Sequence, residues 1–335
     1  MSILVTGGCG YIGSHMVYEL IDAGESVVVL DNLTTGFHWA IPGDARLVVG
    51  DIGDEGLVKE LVRKHDVEAI IHFAGSIVVP ESVADPLGYY LNNTVKSRAL
   101  IAAAVASGVK SFIFSSTAAV YGAPREMPVR ETTHLEPMSP YGSSKLMTEI
   151  MLRDTSLAHD FRHVALRYFN AAGAVDTALI GESHDPETYL IPLAIAAALG
   201  QAPPLRVFGS DYATADGTCV RDYIHVNDLA LAHCRALELL ADESVFQGNI
   251  EQSAGRGLAL NLGTANGASV KQVIAEVEAV VGKPVPLQYV DRRAGDPAEL
   301  VADYGYAKEI LGWLPAYDLR RIVETAFNWE QKRSY

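Results

Sequence analysis

The stretch ILVTGGCGYIGSHMVYEL (3–20) sets a short aliphatic run against glycines spaced three apart, Gly7, Gly10 and Gly13, and then a longer amphipathic run. This reads as a strand, a tight turn and a helix. The missing side chains let backbone amides approach a pyrophosphate, and the helix directs its positive end at the same point. A second aliphatic run, SVVVL (26–30), ends in Asp31, placed to accept both ribose hydroxyls of an adenosine. A 2′-phosphate there would meet a carboxylate, so the pattern favours NAD over NADP.

The same alternation continues outward. RLVVG (46–50), EAIIHFA (68–74), SFIFSS (111–116) and HVALRYF (163–169) read as further strands. Helical patterns lie near 11–23, 54–65, 86–107 and 142–159. The strand runs are continuously apolar rather than alternating, as strands buried on both faces should be. Strand and helix in turn predict an α/β, Rossmann-like, doubly wound parallel sheet. Beyond about residue 170 glycine and proline become frequent and the alternation stops. A NAD-binding domain over 1–171, with segments near 208–235 and 259–264 returning to it, is expected beside a smaller C-terminal α+β substrate domain over 172–335.

Composition narrows the partners. The 335 residues carry 41 acidic and 26 basic side chains, a formal net charge of −15. Such a chain is a poor ligand for nucleic acid or an anionic membrane surface. The longest apolar run, YLIPLAIAAALG (189–200), is too short to span a bilayer and contains a proline. Three unevenly spaced cysteines, Cys9, Cys219 and Cys234, and no CxxC or HExxH, predict reduced thiols in a cytoplasmic protein and no metal site.

Two stretches carry chemistry. In SPYGSSK (139–145), Ser139 can cap a helix, Pro140 suits its first position, and Tyr141 and Lys145 share one face a turn apart. The ammonium, the helix N-terminus and a positive nicotinamide ring would together lower the phenol's pKa and make it a general base. A surface tyrosine and a solvated amine would show the same spacing. Upstream, FIFSSTAAVYG (112–122) ends a strand with Ser115, Ser116 and Thr117, hydroxyls able to hold a reacting oxygen or merely to form a turn. Asp51, in GDIGD (50–54), could bond the adenine amine with Ile52 against the ring, or cap a helix.

The glycine turn, the SST strand end and the YxxxK pair together resemble the extended short-chain dehydrogenase/reductase superfamily. LRYFNAAGA (166–174), VFGSDYATADGTCVRDYIHVNDLA (207–230) and RRAGDPAELVAD (292–303) are similar to the UDP-galactose 4-epimerases, over nearly the whole chain. Ala118 and Ala119 stand where a dehydratase of this superfamily would carry aspartate and glutamate.

The resemblance implies tightly bound NAD, a UDP-sugar substrate and a homodimer. Tyr141 would take the sugar 4-hydroxyl proton as hydride moves from C4 to NAD+, Thr117 would orient that oxygen, and Lys145 would tune Tyr141. The 4-keto sugar would then turn and hydride return to its other face. The cofactor would also touch Tyr11, Ile12, Asn32, Phe73, Ala74 and Gly75. Asn92, Ser115 and Tyr168 complete the implied cofactor set. Asn170, Arg221 and Arg293 match the positions that grip the diphosphate. Asp296 and Phe208 match those near the uridine ribose and uracil, and Tyr189 and Leu190 those beside the sugar. Salt bridges of Arg221 to Asp222 or Asp228, and of Arg293 to Asp296, are the structural alternatives.

Three positions depart from the family's pattern. Ser76 and Ile77 follow FAG where a lysine is common, Tyr189 replaces an asparagine, and Leu300 stands where a tyrosine gates the hexose pocket. A smaller gate would admit a 2-acetamido sugar; alternatively, the changes together would favour a pentose. The helix over 95–109 and the one after Tyr141 are expected to form the dimer interface, although burial within one subunit would select the same small residues.

Overall fold

The computed structural model describes residues 1–242, 245–246, 256–293 and 296–333. Ala294 and Gly295 of the RRAGDPAELVAD stretch lie outside the described residues, as do residues 243–244, 247–255 and 334–335 of the expected second domain.

The strands are β1 (Ser2–Thr6), β2 (Ser26–Asp31), β3 (Arg46–Val49), β4 (Ala69–His72), β5 (Ser111–Thr117), β6 (Arg162–Tyr168), β7 (Asn170–Ala172), β8 (Leu205–Phe208), β9 (Val220–His225), β10 (Gly257–Leu262), β11 (Gly267–Ser269), β12 (Leu287–Val290) and β13 (Glu299–Leu300). The helices are α1 (Tyr11–Asp22), α2 (Glu55–His65), α3 (Val79–Ala84), α4 (Pro86–Tyr89), α5 (Lys96–Ala106), α6 (Pro140–Ala158), α7 (Leu190–Leu199), α8 (Val226–Ala241), α9 (Val270–Val281), α10 (Gly305–Leu311) and α11 (Leu319–Lys332).

A seven-stranded parallel sheet runs β10-β6-β5-β4-β1-β2-β3. Successive residues of β1 serve opposite faces. Ile3 and Val5 pack with Met16 and Leu20 of α1 and with Leu229 and Leu240 of α8. Leu4 packs on the other face with Leu61 of α2, Leu100 of α5 and Leu152 of α6. Both faces are covered, which is why these strands read as unbroken apolar runs. Each such aliphatic side chain contributes about 1.5–3 kcal/mol on burial. The strand order reverses between β1 and β4, and the crevice beyond their carboxyl ends is where such sheets bind ligands.

Two stretches differ from expectation. The fourth strand stops at His72 because the amides of Phe73 and Ala74 both donate to Thr6 O, at 2.9 and 3.1 Å, which turns the chain out of the ladder. The helix expected over 86–107 is broken by a π-helical turn, Tyr90–Val95. That turn brings the Asn93 amide back to Ser76 and to the Ser144 hydroxyl of α6.

After β6 the chain builds smaller sheets, β11-β9-β13 with β7 on β9, and β12-β8. Ile191 and Ile195 of α7, Val273 and Val277 of α9, and Ile322 and Val323 of α11 form their core. Two later segments return to the large sheet: β10 joins its edge beside β6, and α8 packs on α1. No helix among the described residues is long and apolar enough to cross a membrane.

Candidate active site

Gly7 has φ +70°, and a Cβ there would lie 2.5 Å from the Ala74 amide nitrogen; one on Gly13 would lie 2.2 Å from Gly7 O. Only glycine allows the turn to nest against the end of β4 while α1 starts directly behind it. Gly10 precedes α1 without any side-chain cap, so the first amides of that helix keep no side-chain partner there.

These residues line one cavity of 580 Å³ at the carboxyl edge of the sheet. Gly7, Gly10, Tyr11, Ile12 and Gly13 form its floor, and Asp31, Asn32, Asp51 and Ile52 one end. Phe73, Ala74, Gly75 and Asn92 line the cavity as well, as do Ser115, Thr117, Tyr141, Lys145 and Tyr168. Asn170 and Tyr189 close the far end.

Asp31 is held by the turn itself. Its carboxylate accepts from the Cys9 amide at 2.9 Å and the Leu33 amide at 2.8 Å, leaving further lone pairs toward the cavity wall. Asp51 does not cap α2; Asp54 does, accepting from the Leu57 amide at 3.0 Å. Asp51 instead accepts from the Gly53 amide at 2.8 Å and pairs with Lys96 at 2.5 Å. Burial raises its carboxyl, but Lys96 and Gly53 more than offset this and hold it below the usual range. Lys96 also lines the cavity. It is a cation near the adenosine end, whereas Ile77 fills the position at which the family commonly has lysine.

At the other end Ser139 caps α6 through the Gly142 amide at 3.2 Å, with Pro140 in first position. This sets Tyr141 and Lys145 over the end of β5. The electrostatics differ from expectation. Burial pushes the Tyr141 phenol up, and the group opposing that rise is its hydrogen bond to Thr117 rather than Lys145. Lys145 is itself pulled down to about 8 by burial. Its Nζ donates to Ser115 O at 2.9 Å and lies 5.0 Å from the centre of the Phe114 ring. Tyr168 bonds the buried His233, whose Nδ1 lies 2.8 Å from Leu229 O.

Behind β5, Glu149 of α6 bonds the Ser116 hydroxyl and both the Nε and Nη2 of Arg167 on β6, the latter at 3.1 and 2.7 Å. The pair is buried. It ties the helix bearing Tyr141 to the strand bearing Thr117.

The remaining predicted residues stand apart from this cavity lining. Arg221 is bonded to Asp296 and to Pro297 O at 2.7 Å. It pairs with neither Asp222 nor Asp228, because both are already engaged. Asp222 accepts from the Thr264 amide and hydroxyl at 2.8 and 2.7 Å, and Asp228 from the Ala316 amide at 3.0 Å. Arg293 stacks over Phe208 at 3.8 Å. Leu190 packs into the core around α7. Leu300 pairs in register with Arg221 and is buried among Ala118, Val120, Tyr121 and Val129, directly behind Thr117.

The cavity also takes in Lys96, Glu182, Ser183 and His184, which motif reading did not single out. The concentration of acid and imidazole in GESHDPE (181–187), just before LIP, is the signal that would have found the last three.

Residues 3–247 match the sequence pattern of the NAD dependent epimerase/dehydratase family. The chain belongs to that family. A UDP-glucose 4-epimerase of Azospirillum brasilense is 50% identical over 330 residues, covering 98% of this chain and 92% of that protein. The structure of the Brucella ovis UDP-glucose 4-epimerase in complex with NAD superposes with a TM-score of 0.91 at 44% identity, covering 98% and 97% of the two chains. That of Bifidobacterium longum in complex with NAD+ and UDP gives a TM-score of 0.91 at 36% identity, covering 99% and 98%. Family membership accounts for the glycine cradle and Asp31, and the residues present fit NAD: a Cβ at Gly7 or Gly13 would fill the space the backbone needs.

Proposed function

We propose that this protein is an NAD-dependent UDP-sugar 4-epimerase, acting chiefly between UDP-galactose and UDP-glucose, with Tyr141 as its acid–base group. The observation that carries the reading is that Tyr141, one helical turn from Lys145, and Thr117 at the end of β5 line the same cavity as the glycine cradle. When bound, NAD supplies a reversible hydride acceptor and, oxidised, a positive ring beside the phenol. Tyr141 accepts the 4-hydroxyl proton and later returns it, while Thr117 orients the oxygen. Lys145, fixed by Ser115 O, adds a cation that burial leaves poised near neutrality. Arg221, Arg293, Asp296 and Phe208 take the uridine diphosphate, so that binding energy is placed away from a hexose free to turn. Asn170 joins them at the diphosphate and Tyr189 borders the sugar, whereas Leu190 and Leu300, packed in apolar clusters outside the cavity lining, shape the pocket only from behind.

The domain division at about residue 171, with α8 and β10 of the later segments assigned to the cofactor domain and β9 kept with the smaller sheets, follows from the same reading. The proposed assembly is a homodimer. Its support is an exposed apolar stripe: Leu87, Leu91 and Val95 on one helical run and Met147, Ile150 and Leu157 on α6. The small residues of α5 instead face the subunit interior: Ala103 and Ala104 lie in the core and Ala99 is buried beside it. The three cysteines stand as free thiols, which supports a cytoplasmic location.

The test is to mix the protein as purified with UDP-galactose, UDP-N-acetylgalactosamine and UDP-xylose in parallel, without added nucleotide. Conversion of UDP-galactose to UDP-glucose at the highest kcat/KM is expected. NAD-loaded, folded protein that converts none of the three would overturn the reading.

A further inference from the structure

The segment between β7 and α7 carries Glu182, His184 and Glu187, and their polar atoms converge. One ligand atom from each lies within 4.8 Å of the others. His184 Nδ1 is 3.6 Å from Glu182 Oε1 and 3.4 Å from Glu187 Oε2. All three of those atoms are buried without a hydrogen-bond partner. Glu182 is only 4% exposed, so an unpartnered carboxylate oxygen there is costly unless something compensates it.

The surroundings hold these groups in place without satisfying them. Trp329 Nε1 donates to Glu182 O at 2.7 Å and fixes the backbone. Glu187 Oε1 accepts from the Thr188 and Tyr189 amides at 2.8 and 2.9 Å, which turns Oε2 toward the imidazole. The His184 ring is flanked by Tyr189 at 5.1 Å and Tyr11 at 6.3 Å. Nearby Glu330 is paired with Arg333 at 2.8 Å. The same Arg333 also opposes the burial penalty on Glu182, but it forms no hydrogen bond to the Glu182 Oε1 that faces the imidazole.

We propose that Glu182, His184 and Glu187 form a binding site for a first-row transition-metal dication of the zinc type. One imidazole nitrogen with two carboxylate oxygens is a donor set that suits zinc, whereas magnesium and calcium prefer all-oxygen shells of six or more. A dication about 2.0–2.2 Å from each donor places tetrahedral neighbours about 3.3 Å apart, near the spacings observed. The fourth position faces the cavity that Glu182 and His184 line. The ion would pin the 182–189 segment beside the glycine turn. The site does not depend on the reaction assigned above.

The test uses the full, NAD-loaded protein, freed of metal with a chelator and titrated separately with zinc and cobalt(II). One bound zinc per chain and visible d–d bands of low-symmetry cobalt are expected. His184→Ala and Glu187→Gln should each weaken binding by about 100-fold while NAD content is retained. Two variants are used so that a folding defect in one leaves the other to decide. Zinc binding below about 0.1 equivalent in the wild type would overturn the proposal. So would wild-type affinity retained in either folded variant, since the ion would then sit elsewhere.

Discussion

At the glycine turn, Asp31 is presented by backbone amides of Cys9 and Leu33, and nothing must be undone for a ribose to reach it. At the proposed uridine end, Arg221 is already bonded to Asp296 and Arg293 already covers Phe208. The first region is preorganised; the second must exchange internal partners for ligand. Binding energy at the uridine end is therefore a difference between two sets of contacts, while at the cofactor end it is nearly the whole of the new contact.

The contrast is tested most severely at the preorganised end. Tyr141→Phe keeps the ring and removes the hydroxyl, so kcat should fall by about 10³ with NAD still bound, read by turnover and by cofactor content after denaturation. A loss below tenfold would show that another group moves the proton. Thr117→Val removes the hydroxyl that opposes the upward shift of Tyr141. It should lower kcat by about 10- to 100-fold and move the rising limb of the pH profile to higher pH, while Thr117→Ser retains the limb. An unmoved limb would separate Thr117 from the titration.

At the exchanging end the effects are smaller and of another kind. Arg221→Met should raise KM for UDP-galactose about tenfold and leave kcat within about threefold, because a charge-assisted contact of about 1.5–3 kcal/mol is offset by the Asp296 bond it gives up. A pure kcat defect would place Arg221 at the reacting centre instead.

How much was legible in the sequence follows the same division. The glycine turn, Asp31, Thr117, Tyr141 and Lys145 are local: each sits at a strand end or in the first two turns of a helix, where spacing alone fixes position. The sheet was legible for the same reason, since unbroken apolar runs such as ILV and SVVVL announce burial on both faces. The partners of Arg221 were not legible, because Asp296 arrives from 75 residues away through the β13–β9 pairing. Nor was the rise of the Tyr141 phenol, since burial is a property of the closed fold and outweighs the charge four residues on. Leu300 shows the same limit. Family pattern places it at the sugar, while the fold seats it in the apolar cluster behind Thr117.

The least specific prediction concerns the scaffold both regions share. Burial holds His15, His163 and His233 down to about 4, and His72 and His225 to about 3. Their unfolded pKa is about 6.5, so between there and pH 4 the unfolded chain binds more protons than the folded one. Stability is thus present above about pH 6.5 and lost as the pH falls toward 4, and the thermal midpoint should drop across that window. A flat midpoint from pH 6.5 to 4.5 would contradict it.

The central claim is that the C4 hydrogen leaves and returns within one active site. Converting UDP-galactose to UDP-glucose in deuterated water and reading C4 by proton NMR tests it directly. The account predicts that the product keeps protium at C4, because only the hydroxyl proton on Tyr141 exchanges with solvent. Deuterium at C4 would mean that the carbon itself is deprotonated, and would contradict it.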